Sequence, residues 1–305
     1  MGRYVLKRAI LSVVTLWLVA SLTFGLMFLV PGGPFLAEKT PSEATLKALN
    51  KKYGLDKPKI VQYKNYMVKL IQGDMGPSLK QRGRNVGKII TTGFKVSARI
   101  GGMAILLAIC FGVPLGSLAA LNRGKWIDNI IILISTFGIA VPSFVVSTVL
   151  MMIFSLWLNL LPTYGLSSAL HYIMPVAALS IYPTAYISRL MRSSMLEVLG
   201  QDYMRTAKAK GLSQFKMLFK HALRNAILPV VTYLGPLLAY ILTGSFVVEK
   251  IFTIPGLGND FISSIVNRDY TLIMGTTIFL AALLIAMNFL VDIMYKFVDP
   301  RIKLK

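Results

Sequence analysis

The chain has one cysteine, Cys110, and two histidines, His171 and His221. One thiol excludes an internal disulfide and any multi-cysteine metal site. Two histidines leave too few ligands for ordinary zinc chemistry. Charge is scarce as well: Asp, Glu, Lys and Arg make up 15% of the 305 residues, less than a soluble domain of this length carries. Acids are the rarest, 12 against 33 lysines and arginines. No G-x-x-x-x-G-K-[ST] loop is present, so no ATP is bound through that motif. H-E-x-x-H and G-x-S-x-G are absent too. No catalytic residue, metal ligand or cofactor is predicted. Carboxylates inside spans mark proton or sodium coupling. Here Glu249 and Asp292 lie near the ends of apolar runs, where a side chain reaches the interface, and Asp128 sits at a boundary. The membrane centre therefore reads as uncharged. This argues against an ion-coupled carrier and against intramembrane catalysis.

Apolar length is what the chain has in excess. It is 55% hydrophobic, and several runs reach the roughly 20 residues that cross a bilayer core of about 30 Å. The chain is an integral membrane protein. Its net charge of +21 is explained by loops held at an anionic leaflet rather than by a nucleic-acid partner. Six spans are expected, at residues 9–30, 98–121, 129–157, 172–195, 227–248 and 271–295. The first follows Arg3, Lys7 and Arg8 and is too long for a signal core. Pro114 softens the second, Pro142 interrupts the third, and the fourth holds Pro175 and Pro183. Six crossings put both termini in the cytoplasm. The loop at 158–171 has no lysine or arginine, whereas the segment from Arg189 to Arg224 is rich in them, as the positive-inside rule requires. The lysine-rich segment 32–97 runs against that rule, but loops beyond about 60 residues translocate largely regardless of charge.

That segment has helical signals of its own. Thr40-Pro41-Ser42-Glu43 has the form of a capping box with proline at the first helical position. Leu46, Leu49 and Tyr53 follow at helical spacing, and Gly54 is placed to stop the helix. A second helix is expected over 58–72, with Ile60, Tyr63, Met67 and Leu70 on one side and Gly73 as its stop. The expectation is a small extracytoplasmic helical lobe, either a docking surface for an external protein or a solvated spacer.

The basic stretch RTAKAKGLSQFKMLFKHALRNAILP runs from Arg205 to Pro229 between two apolar runs. Helical propensity is high over 202–210, and Gly211 supplies a left-handed stop. Ser213 can cap a second helix carrying Lys216, Lys220 and Arg224 at four-residue spacing. The pattern is helix, tight turn, helix, projecting into the cytoplasm. The plainer alternative is an ordinary basic loop.

Ala207, Gly211 and Ile227-Leu228-Pro229 resemble the EAA coupling motif in permease subunits of type I ABC importers. Arg205 and Thr206 stand where glutamate and alanine are typical. This variant, Tyr203 to Leu212, resembles the dipeptide, oligopeptide and nickel branch. So do Pro31-Gly32-Gly33-Pro34-Phe35, Gly73-Asp74-Met75-Gly76-Pro77-Ser78 and Val141-Pro142-Ser143-Phe144. Phe252 with Pro255-Gly256-Leu257-Gly258, Asn267-Arg268-Asp269-Tyr270 and Asp299-Pro300-Arg301 extend the resemblance over nearly the whole chain. The long outer lobe favours the first of the two membrane subunits of an oligopeptide permease.

The resemblance implies an all-α membrane fold with six transmembrane helices. It implies an N-terminal helix at 1–31, the outer lobe at 32–97, a permease core at 98–296 with its coupling segment at 196–226, and a cytoplasmic tail at 297–305. It also implies partners: a second homologous permease, two cytoplasmic ATPases, an external peptide-binding protein and the peptide itself. Tyr203, Arg205, Thr206, Ala207, Lys208, Ala209, Lys210 and Gly211 would form the coupling surface to an ATPase. Pro142, Ser143, Pro183, Gly244 and Ser245 would lie on the path. The prolines free backbone carbonyls, which can line a wet cavity or simply fix helix shape. A dipeptide or nickel permease is the alternative within the family; a membrane scaffold without transport is the alternative outside it.

Overall fold

The computed structural model describes residues 2–29, 33–35, 42–213, 217–242 and 244–298. Among the described residues there is no strand, only an isolated antiparallel bridge between Pro77 and Asn85. The helices are α1 (Gly2–Leu29), α2 (Glu43–Tyr53), α3 (Lys59–Ile71), α4 (Val86–Leu121), α5 (Trp126–Ala140) and α6 (Ser143–Leu150). A π-helical stretch (Met151–Trp157) extends α6. Then come α7 (Leu170–Leu199), α8 (Asp202–Ala209), a π-helical stretch (Met217–Ala222), α9 (Leu223–Ala226), α10 (Leu228–Leu242), α11 (Phe246–Ile251), α12 (Leu257–Val266) and α13 (Tyr270–Val298).

Helix covers most of each expected span, with breaks in the third at Val141-Pro142 and in the fifth between α10 and α11. Leu6–Leu29, Val86–Leu121, Leu228–Ile251 and Tyr270–Val291 are long and apolar enough to cross a membrane. The fourth expected span, α7, has 30 residues and extends about 45 Å, but it is less apolar than these four. The reason is its position: Met191 and three of its serines, Ser180, Ser188 and Ser194, are buried in protein. The third expected span is not one straight crossing. Trp126–Ala140 and Ser143–Trp157 meet at 102°, and each arm extends only about 22 Å. Pro142 has no N–H to continue the ladder, and Val141 before it is extended, with φ −83° and ψ 122°.

The chain divides into two compact units: Met1–Ser97 with Pro255–Ala286, and Ala98–Ile254 with Met287–Lys305. In the first, α3 packs Tyr66, Met67 and Leu70 against Ala20 and Met27 of α1 and Met274 and Ile278 of α13. Ile60, expected on that face, is 79% exposed; Tyr66 takes the inward place. The N-cap of α2 also differs from expectation. Ser42 accepts the Thr45 N–H at 3.4 Å, while Thr40 and Pro41 lie outside the described residues. Gly54 and Gly73 end their helices with φ of 70° and 78°, as expected.

Two motifs far apart in sequence close this unit. Asp269 is buried and accepts hydrogen bonds from the Ser78 hydroxyl, from Leu79 N at 3.1 Å and from Leu272 N at 3.2 Å. Lys80 N and the Thr271 hydroxyl also donate to it, at 3.3 and 3.1 Å. One carboxylate thus holds the Gly73–Ser78 turn to the start of α13. Nearby, Leu257 N donates to the buried Ser97 hydroxyl at 2.9 Å, fixing the N-terminus of α12 on α4. Asp269→Ala leaves several buried donors unpaired at once. It is expected to destabilise the purified chain by about 2–4 kcal/mol, since each orphaned buried group costs about 1–3 kcal/mol. A thermal melt in detergent reads this, and Asp269→Asn is expected to recover part of the loss.

Candidate functional site

The second unit is built around α7. A Cβ on Gly116 of α4 would lie 2.3 Å from the Ser188 carbonyl oxygen. One on Gly138 of α5 would lie 2.9 Å from Ala185 Cβ. Glycine at these places lets two helices approach α7 backbone to backbone, as membrane helices without a hydrophobic drive between them require. The start of α5 is fixed by charge. Arg192 donates through Nε and Nη2 to the two oxygens of Asp128, at 2.6 and 2.7 Å. Gly124 N donates to the same carboxylate at 2.9 Å. Asp128 is only 1% exposed. The sequence showed Asp128 as a boundary charge and Arg192 as one topology charge among many. The available signal was its isolation: it is the only acid between Asp74 and Glu197.

The segment expected to couple folds as a hairpin on α7. Met204 and Ala207 of α8 turn inward, in one buried cluster with Ala222, Ala226, Met191 and Met195 for the first of them. Ala207 is therefore a packing residue in this hairpin and not part of its outer face. Tyr203, Arg205, Thr206, Ala209, Lys210 and Gly211 are exposed; the Lys208 side chain lies outside the described residues. The Tyr203 hydroxyl accepts from Asn225 Nδ2 at 2.8 Å, tying α8 to α9. Arg205 and Asp202 make an exposed pair at 3.6 Å, which contributes little. Gly211 has φ 74°, and no atom lies within 4 Å of where its Cβ would stand. Backbone conformation alone, not crowding, asks for glycine there. Ser213 O accepts from Met217 N at 3.0 Å, and Lys216 lies outside the described residues.

A cavity of about 480 Å³ lies among α5, α6, α7 and α10. It brings together four of the five expected path residues: Pro142, Ser143, Pro183 and Ser245. Gly244 is adjacent in sequence to Ser245 and has φ 89°, breaking the apolar run between α10 and α11. Leu179 also lines the cavity, and its carbonyl is the one that Pro183 cannot bond within the helix. Tyr182, Tyr233 and Tyr240, which the sequence did not single out, line it too. Tyr186 stacks on Tyr233 with ring centroids 4.3 Å apart, and on Tyr182 at 6.3 Å. Among the described residues, no charged side chain is in the lining. Glu249, expected where a side chain reaches the interface, is instead 2% exposed, buried in protein in the first turn of α11. A carboxylate is favoured near the N–H groups of a helix start. The Asp292 side chain lies outside the described residues.

Residues 112–304 match the family described as binding-protein-dependent transport system inner membrane component. The chain belongs to this family. Residues 1–88 match the corresponding N-terminal family of such membrane components. The component is 49% identical over 304 residues to the dipeptide transport system permease protein DppB of Bacillus subtilis, covering 100% of this chain and 99% of that one. It is 42% identical to the oligopeptide transport system permease protein OppB of Haemophilus influenzae, covering 99% and 100%. Among solved structures, the inward-facing MetNI methionine ABC transporter matches with TM-score 0.56 at 15% identity, over 69% of this chain and 96% of that one. The fold is thus that of the type I ABC importer permeases, and the component is a transport subunit rather than an ATPase.

Breaking the buried pair tests its role in the component. Arg192→Ala leaves the Asp128 carboxylate with only its Gly124 N–H bond and is expected to cost about 1–3 kcal/mol of stability, whereas joint Asp128→Asn and Arg192→Gln substitution costs less than either single change. Thermal melts of Asp128→Asn, Arg192→Gln and the double variant measure this. A loss in the double variant equal to the sum of the two single losses would mean that the pair carries no coupling energy.

Proposed function

We propose that this chain is one of two permease subunits of an ATP-driven importer whose path carries oligopeptides handed over by an external binding protein. The observation that carries the proposal is full-length likeness to permeases named for dipeptides and oligopeptides, at 49% and 42% identity. The uncharged, tyrosine-rich cavity supports it. A path has to pass varied side chains without holding them, and weak contacts at apolar and hydroxyl groups meet that need. The exposed face of α8, from Tyr203 to Gly211, is the surface offered to a cytoplasmic ATPase; the other ATPase serves the second permease. A dipeptide permease is the second reading, favoured by the higher identity to the Bacillus subtilis protein.

Sidedness belongs to this proposal: both termini and α8 in the cytoplasm, the α2–α3 lobe outside. The bent α5–α6 pair makes it testable. If the pair crosses, an even number of crossings separates the N-terminus from α8. If it is re-entrant, α8 emerges on the lobe's side. With Cys110→Ser as background, Lys51→Cys is expected to label with an impermeant thiol reagent in intact cells and Lys208→Cys only after lysis. Labelling of both from outside would make the pair re-entrant.

Uptake of labelled di- to pentapeptides by cells with and without the subunit tests the transport reading. Loss of the longer peptides is expected; loss confined to dipeptides favours the second reading, and unchanged uptake at every length removes both. In the same cells Gly211→Val is expected to abolish most uptake at normal subunit abundance. A β-branched residue resists φ near 74°, at a cost of about 1–3 kcal/mol, and relief of that strain tilts α8 against its ATPase groove. Normal uptake at normal abundance would end the coupling role assigned to this glycine.

A further inference from the structure

We infer that the cavity enclosed by α1, the α2–α3 pair and the start of α13 binds the headgroup of an anionic phospholipid. The cavity holds about 670 Å³. Among the described residues five lysines line it, Lys51, Lys52, Lys57, Lys64 and Lys69, against one acid, Asp74. Asp74 is engaged, accepting from Gly76 N at 2.9 Å. Among the described residues, none of the five lysines makes an ion pair. Ammonium groups gathered around a concavity suit a phosphate. Tyr66 also lines the cavity, and its hydroxyl is buried without a hydrogen-bond partner. Burial pushes its pKa up, so it stays a donor at neutral pH. Buried donors nearly always have an acceptor, and a phosphate oxygen supplies one.

The depth of the cavity selects a lipid over a soluble anion or an acidic protein. It lies where α1 ends and α13 begins, with Phe28 and Tyr270 in ring contact at 6.2 Å. Two apolar spans of opposite direction thus meet the same membrane boundary there. The Ser21 and Tyr63 hydroxyls bond at 2.6 Å, which lays α3 along α1 to about 12 Å below its end at Leu29. On the outer side of α3, Ile60 and Ile71 are 79% and 83% exposed. They lie on one helical face, eleven residues apart, with Lys64 beside them. That is the pattern of a helix lying in the interface plane. The cavity floor, Phe24, Met27 and Phe28, runs into the exposed apolar surface of α1 at Leu22, Leu26 and Leu29. An acyl chain leaving a bound headgroup has an apolar surface to follow, whereas a polar protein segment would have to enter hydrocarbon.

The test uses the full chain purified in neutral detergent and a fluorescent phosphatidylglycerol, with phosphatidylcholine as the comparison. Phosphatidylglycerol is expected to bind about tenfold more tightly, and joint Lys51→Gln, Lys52→Gln, Lys57→Gln and Lys64→Gln substitution to remove most of that preference. Tyr66→Phe is expected to weaken it about two- to threefold. A control with equal charge loss, Lys47→Gln, Lys80→Gln, Lys88→Gln and Lys95→Gln, is expected to leave it intact. The lysine variant changes exposed side chains only, so it keeps the test open if Tyr66→Phe does not give a monodisperse protein. Equal affinity for both lipids, or equal loss in the control, overturns the proposal. Displacement of the lipid by millimolar inorganic phosphate would make this a free-anion site, and displacement by polyglutamate a protein-docking site; either outcome also overturns it.

Discussion

A bilayer offers backbone groups no hydrogen-bond partner, so irregular chain at membrane depth has to be buried in protein or line a cavity. Four breaks in the second unit meet that constraint together. Pro142, Pro183 and Pro236 each remove a donor, and Gly244-Ser245 interrupts the helix outright. They are scattered over a hundred residues of sequence, yet Pro142, Pro183, Pro236 and Ser245 line one cavity. Its wall gives the freed backbone groups a place away from hydrocarbon. The same breaks supply what a path needs, carbonyl and hydroxyl oxygens in an otherwise apolar wall.

Such breaks weaken the helices that carry them, and α7 compensates by its packing. Glycines at Gly116 and Gly138 bring α4 and α5 close, and Arg192 and Asp128 fix where α5 begins. Burying the Asp128 carboxylate costs free energy before its attraction to the partly exposed Arg192 is counted. A hydrophobic pair would stabilise α7 as well but would tolerate sliding. A bidentate pair with a backbone N–H on the same carboxylate sets one register, which a helix interrupted at Pro183 needs more than it needs raw stability.

Much of this was legible in one dimension. Apolar runs marked the spans, Pro142 marked the bend, and Gly54, Gly73 and Gly211 marked helix ends because each takes a left-handed φ. Pro142, Ser143, Pro183 and Ser245, four of the five residues expected on a path, line one cavity, although spacing said nothing of their meeting. What stayed hidden was pairing at long range. Ser78 and Asp269 stand 191 residues apart, and Asp128 and Arg192 64 apart, so neither pair leaves a local pattern. Ile60 misled because an exposed apolar residue on a helix beside a membrane need not face a core. Glu249 misled because a hydropathy window sees the run around it but not the protein that buries it.

The cavity and the α8 hairpin share one helix. Residues before and at Pro183, Leu179 and Tyr182 among them, line the cavity, while Met191 and Met195, two and three turns further on, seat the α8 hairpin. Between them α7 is unbroken helix held by Gly116, Gly138 and the Arg192–Asp128 pair. Sixteen residues of helix after Pro183 make a stiff arm of about 24 Å. In the permease reading, a push on α8 would reach the cavity through that arm. It would be taken up where the ladder is already missing a bond, at Pro183, because bending there sacrifices no further hydrogen bond. The stacked Tyr182, Tyr186 and Tyr233 rings straddle that point. A small rotation about it alters their stacking before it disturbs any buried charge, which confines the change to the cavity wall and leaves the Asp128–Arg192 register in place.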